Sequence, residues 1–124
     1  MVIVDDEREI LEELSQVFAE YGYEIETATG GEEAIRKVKE SRPHVMLLDI
    51  KMPGMDGIET LKRVKRVDPG LGVIMVTAVN EVSLARQAIE SGAHDYITKP
   101  VDLDRLRTSV VAKIINMLGP DSTR

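Results

Sequence analysis

The chain has 124 residues, a formal net charge of −6 and no Cys or Trp. This length is enough for one domain, and 43% hydrophobic residues can form its core without disulfides or a structural metal. The negative charge argues against direct binding to nucleic acid, which needs a basic face, and 3% aromatic residues leave little to stack on bases or a flavin.

Apolar segments that predict β-strands alternate five times with amphipathic segments that predict α-helices. The strands are expected at residues 1–4, 23–28, 45–49, 73–76 and 96–98. The helices are expected at residues 7–21, 32–41, 56–64, 81–91 and 102–118. Asp6 and Asp56 are expected to cap the first and third helices, and glycines are expected to end the first, fourth and fifth, at Gly22, Gly92 and Gly119-Pro120.

This order of elements indicates an α/β fold. Unbroken apolar runs such as residues 45–48 are typical of a parallel sheet that is covered by helices on both faces. No apolar run is long enough to span a bilayer. The absence of Cys is compatible with a reducing compartment, and we expect a cytoplasmic protein without membrane contacts.

Polar residues stand at the ends of four of the five predicted strands. They are Asp5 and Asp6, Asp49, Thr77 and Lys99. Because parallel strands end at the same edge of a sheet, these side chains are expected to converge, and ligands of open α/β sheets bind at that edge. Clustered carboxylates need a compensating charge, and oxygen ligands favour Mg²⁺. The set suits phosphoryl transfer to a carboxylate at Asp49, with Thr77 and Lys99 binding the phosphoryl oxygens.

Each residue also has a purely structural interpretation. Asp49 could be an ordinary loop residue or helix cap, Thr77 a turn hydroxyl and Lys99 a solvated surface charge. Their occurrence together at the ends of four strands favours a site. The two histidines, His44 and His94, stand alone and are expected to be surface residues.

The chain resembles the receiver domain of two-component response regulators. The resemblance covers nearly the whole chain and is carried by residues 2–7 (VIVDDE), 47–57 (LLDIKMPGMDG), 76–78 (VTA) and 92–100 (GAHDYITKP). It implies a flavodoxin-like (βα)5 doubly wound fold with a five-stranded parallel sheet in the order 2-1-3-4-5. We expect the receiver domain at residues 1–119 and, at residues 120–124, a tail or the start of a linker to an output domain.

The resemblance also implies a role for each site residue. Asp49 would accept a phosphoryl group from a sensor histidine kinase. Mg²⁺ would be held by Asp6, Asp49 and the backbone carbonyl of Lys51, with Asp5 acting mostly through water. Thr77 and Lys99 would bind the phosphoryl group. Tyr96 would be the aromatic switch that turns inward with Thr77, and the Lys99-Pro100 peptide bond would be cis.

The chain is therefore expected to catalyse its own phosphorylation and dephosphorylation rather than to be a conventional enzyme. The family tunes hydrolysis at positions occupied here by Lys51 and Val79. Since Val79 cannot position an attacking water, we expect slow dephosphorylation. The expected partners are the kinase, an output domain or partner protein, and a second copy bound through the fourth helix, fifth strand and fifth helix.

Three other functions compete with this hypothesis. A Mg²⁺-dependent phosphatase with an Asp nucleophile needs an acid two residues later, where this chain has Lys51. A flavin-binding electron carrier needs a hydroxyl-rich phosphate loop after the first strand, where this chain has Asp5 and Asp6. A receiver-like docking module that is never phosphorylated remains the main alternative, and the complete set of site residues argues against it.

Overall fold

Five parallel strands form one central sheet in the computed structural model, which describes residues 1–118. The strands are β1 (Val2–Val4), β2 (Glu26–Ala28), β3 (Val45–Leu48), β4 (Gly72–Thr77) and β5 (Asp95–Thr98). Their order is β2-β1-β3-β4-β5, so the flavodoxin-like arrangement is confirmed. β2 is shorter than expected because it pairs with β1 alone, which has three residues.

Within the described residues, five helices alternate with the strands and cover the sheet on both faces. They are α1 (Arg8–Glu20), α2 (Gly31–Ser41), α3 (Gly57–Val67), α4 (Val82–Glu90) and α5 (Leu103–Leu118). No helix among residues 1–118 is long and apolar enough to cross a membrane.

Alternation of side chains along the strands divides the core into two clusters, one on each face of the sheet. On one face, Val4, Leu48 and Met75 belong to the cluster that includes residues of α2, α3 and α4. On the other face, Leu47 and Ile74 belong to the cluster that includes residues of α1 and α5. Every residue of β3 is buried, as the unbroken apolar run predicts, and this holds the end of the strand in a rigid setting.

The predicted caps agree with the structure except at the start of α1, and α3 continues to Val67, three residues beyond its expected end. Gly22 and Gly92 have φ values of +97° and +107°, the left-handed conformation that ends α1 and α4. The carboxylate of Asp56 accepts a hydrogen bond of 2.9 Å from the N–H of Glu59 and caps α3. The expectation that Asp6 caps α1 is wrong, because the chain enters this helix one residue later, at Glu7. The predicted stop at Gly119-Pro120 and the tail lie outside the described residues.

Candidate functional site

The parallel register of β1 and β3 places two acidic residues side by side. Val4 and Leu48 are partners in this register, so the residues that follow them, Asp5 and Asp49, leave the sheet together. The backbone N–H of Asp49 still donates to the carbonyl of Val4, at 3.0 Å. Both side chains are buried, at 2% and 4% exposure, and this proximity follows directly from strand pairing.

Asp6 joins these two residues in a cluster of three carboxylates. One carboxylate oxygen from each of Asp5, Asp6 and Asp49 lies within 4.8 Å of the other two, and Asp6 is exposed to solvent. Three negative charges this close repel one another unless a cation lies between them. The donors are all carboxylate oxygens, which fit a hard cation such as Mg²⁺. Lys51, whose carbonyl is the fourth predicted ligand, lines the same open depression as Asp6.

Lys99 provides the positive charge of the site. Its ammonium nitrogen, Nζ, lies 2.8 Å from Asp5 Oδ2, 2.9 Å from Glu7 Oε1 and 3.4 Å from Asp49 Oδ2. Burial alone would lower the pKa of Lys99, but its hydrogen bonds to Asp5 and Glu7 and the charge of Asp49 outweigh burial and raise that pKa. Lys99 is therefore fully charged at neutral pH.

The buried carboxylates differ in how their charge is compensated. Loss of hydration raises the pKa of Asp5 even though Lys99 and the N–H of Glu7 donate hydrogen bonds to it. In Asp49, Oδ1 accepts a 2.7 Å hydrogen bond from the N–H of Ile50, and Oδ2 faces Lys99. The two oxygens of Asp49 thus have different surroundings.

Thr77 is the last residue of β4, and Tyr96 lies on the neighbouring strand β5. Thr77 is completely buried, and its hydroxyl oxygen accepts a 3.3 Å hydrogen bond from the N–H of Val79. The hydroxyl of Tyr96 donates a 2.5 Å hydrogen bond to the carbonyl of Val79. Burial and, to a smaller extent, the charges of Asp49 and Glu81 raise the pKa of Tyr96. The phenol is thus tied to the backbone two residues after Thr77.

Two features of the site were not assigned from the sequence. Glu7 was not given a site role, yet its carboxylate contacts Lys99 at 2.9 Å. Gly57 lies where the start of α3 packs against the backbone of Asp49, and a Cβ atom there would be 2.0 Å from the Asp49 carbonyl oxygen. In the sequence, the three consecutive acidic residues at positions 5–7 could have indicated the role of Glu7. The glycine that follows Asp56 could have indicated the close approach at residue 57.

The predicted site residues lie at the carboxyl edge of the sheet or in the loops that follow it, except Tyr96, which is the second residue of β5. Strand pairing brings together Asp5 and Asp49, and side-chain contacts add Lys99. The peptide bond between Lys99 and Pro100 is cis, the conformation that the resemblance implies. The chemical roles of these residues stay predictions.

Comparisons with known proteins agree on one family. A family model described as the response regulator receiver domain matches residues 1–111. The chain is 42% identical over 110 residues to sporulation initiation phosphotransferase F of Bacillus subtilis, covering 89% of each protein. It is also 42% identical to the regulatory protein AtoC of Escherichia coli, of which it spans only 24%.

Solved structures show the same similarity. A response regulator receiver domain protein from Methanospirillum hungatei aligns with a TM-score of 0.90 and 33% identity, covering 94% of this chain and 93% of that one. The CheX–CheY–BeF3–Mg²⁺ complex from Borrelia burgdorferi contains a chain that aligns with a TM-score of 0.85 and 36% identity, covering 90% and 85%.

Proposed function

Because this chain belongs to the response regulator receiver domains, we propose that it accepts a phosphoryl group from a sensor histidine kinase on Asp49. One observation carries the proposal: Asp49 is a buried carboxylate that shares its surroundings with two further acids and one ammonium group. A carboxylate in such a setting can act as a nucleophile once its neighbours' charges are screened.

The transfer step needs little covalent chemistry from the protein. One carboxylate oxygen of Asp49 forms a bond to phosphorus, the P–N bond of the kinase phosphohistidine breaks, and its electron pair returns to the imidazole nitrogen. Catalysis then depends on position and on charge stabilisation. Lys99 would pair with one phosphoryl oxygen, and the hydroxyl of Thr77 would donate to another. This second contact requires the Thr77 side chain to turn toward Asp49.

The acidic cluster is the proposed Mg²⁺ site. Asp6, Asp49 and the carbonyl of Lys51 would hold the ion, and Asp5 would act mostly through water. When bound, Mg²⁺ supplies positive charge that screens the carboxylates from the incoming phosphoryl group. The carboxylate-only composition of the cluster supports this assignment. The CheX–CheY complex, one chain of which is similar to this protein, contains Mg²⁺ and BeF3.

Phosphorylation would change a surface far from Asp49. The added group carries nearly two negative charges and draws Thr77 and Lys99 toward it. Tyr96, already bonded to the Val79 carbonyl, would follow Thr77, and the surface formed by α4, β5 and α5 would change. A second copy, an output domain or a partner protein that binds only one of the two states would detect this change.

The experiment that tests the proposal is treatment with acetyl phosphate and Mg²⁺, followed by intact-mass measurement. We expect a gain of one phosphoryl group that requires Mg²⁺ and is abolished in Asp49→Asn. An unchanged mass in the wild-type protein would instead favour the docking module. Transfer from a phosphorylated histidine kinase, measured by radiolabel, would then identify the physiological donor class.

A further inference from the structure

Glu7 is an acidic residue of the site that has no role in the proposed chemistry. It occupies the N-cap position of α1, yet its side chain makes no capping hydrogen bond within residues 1–118. Glu is a poor residue for this position, where Ser, Thr, Asp and Asn are preferred. Its carboxylate instead contacts the ammonium of Lys99 at 2.9 Å, across 92 residues of sequence. The side chain therefore serves the site rather than the helix.

The distances around Lys99 show which carboxylates hold it. Nζ is 2.8 Å from Asp5 and 2.9 Å from Glu7, but 3.4 Å from Asp49. The two short contacts are made with the segment that leads from β1 into α1, so the ammonium lies closer to this segment than to Asp49, to which it still donates a hydrogen bond. Asp5 is buried and held by the backbone, whereas the side chain of Glu7 is 60% exposed and can move. Glu7 is thus the releasable partner of Lys99.

We propose that Glu7 is a positioning residue that holds Lys99 away from the phosphoryl site and thereby slows phosphorylation of Asp49. This inference rests on the proposed function, because it assumes that Lys99 binds the phosphoryl group. The three N–H donors of Lys99 are occupied by Asp5, Glu7 and Asp49, so a phosphoryl oxygen competes with Glu7 for this ammonium. The lysine ammonium is a compact charge on a flexible stem, so release of one carboxylate lets it turn toward another anion.

Glu7 has a second, separable effect on the donor. Its exposed carboxylate places a negative charge beside Lys99 and repels an anionic phosphodonor as it enters. The contact with Lys99 acts on the transfer step, whereas the charge acts on donor binding. Because one member of the pair is largely exposed, each effect is expected to be small, about two- to fivefold.

The test compares two substitutions of Glu7 with a control on the same helix. Glu7→Asp keeps the charge but shortens the side chain by one methylene, which weakens the contact with Lys99, and Glu7→Gln removes the charge. Glu9→Gln is the matched control, since Glu9 lies exposed in the first turn of α1. The rate of mass gain is measured against acetyl phosphate concentration at saturating Mg²⁺, which yields the maximal rate and the half-saturating donor concentration separately.

We expect Glu7→Asp to raise the maximal rate roughly threefold with an unchanged half-saturating concentration. Glu7→Gln is expected to raise the maximal rate and also to lower the half-saturating concentration, and Glu9→Gln to match the wild type. A maximal rate for Glu7→Asp equal to or below that of the wild type would overturn the inference. So would an equal acceleration in Glu9→Gln. Wild-type protein that takes up no phosphoryl group would overturn the proposed function and, with it, this role of Glu7.

Discussion

Replacing Gly57 with Ala tests whether the close contact between α3 and β3 positions Asp49. A Cβ atom at residue 57 would lie 2.0 Å from the carbonyl oxygen of Asp49 and 2.6 Å from the Cα of Ile50. Both neighbours are backbone atoms, so no side-chain rotation can relieve the clash. The first separation must grow to at least 3.4 Å for ordinary contact, which requires α3 or the end of β3 to move.

The magnitude follows from two opposing effects. Overpacking of a buried site costs up to about 3 kcal/mol, and more where backbone must shift. Ala is favoured over Gly in helix interiors by about 1 kcal/mol, and at Gly57, the first residue of α3, this gain offsets at most part of that cost. We therefore expect Gly57→Ala to lower the free energy of unfolding by about 2 kcal/mol. A shift of Asp49 by about 1 Å is expected to slow its phosphorylation by roughly 10²-fold.

Two measurements check this expectation. Urea unfolding followed by circular dichroism gives the free energy of unfolding, and mass gain with acetyl phosphate gives the phosphorylation rate. Gly70→Ala is the matched control, because its Cβ would approach no atom closer than 3.4 Å, and we expect a change within about 0.5 kcal/mol. If Gly57→Ala were as stable and as readily phosphorylated as the wild type, the close approach would not position Asp49.

Three further predictions concern the metal, the switch and the lifetime of the phosphoryl group. A free Mg²⁺ concentration one hundred times its Kd is expected to stabilise the folded wild type by about 2.7 kcal/mol. Asp6→Asn lacks one proposed ligand, so scanning calorimetry should show that this variant loses most of the gain. Between the ordinary pKa of tyrosine, about 10, and the raised pKa of Tyr96, the unfolded chain has lost a proton that the folded chain retains. Stability therefore falls as pH rises through this window, and the fall should be smaller in Tyr96→Phe when unfolding is measured from pH 9 to 11; equal slopes would contradict the burial of this phenol. Phosphorylated wild type is expected to lose radiolabel more slowly than Val79→Glu, since Val79 has no group to position water, and equal decay would disprove that reasoning.

Much of the architecture could be predicted because local patterns and topology are sufficient for it. The apolar run that ends at Leu48 must be buried on both faces, and helical spacing of apolar residues identifies the segments that cover it. Once the strands are parallel, their carboxyl ends must meet at one edge. The candidate site residues Asp5, Asp49 and Lys99 could therefore be grouped before any distance was known.

Two features could not be predicted from the sequence: the residue at which α1 begins and the close contact at residue 57. Asp6 has the right residue type to cap α1, but the chain enters the helix at Glu7. Sequence also does not show that residue 57 approaches the backbone of Asp49 so closely that only Gly fits. That constraint depends on the angle at which α3 packs against the sheet.

The sequence by itself determined which residues stand at the ends of the strands, because side-chain hydrophobicity is a property that each segment carries alone. Only the tertiary structure decided how they pair. Lys99 faces three carboxylates and lies closer to Asp5 and Glu7 than to Asp49. That choice depends on distances between segments 92 residues apart in the chain, which are set by packing of the whole domain and not by any local pattern.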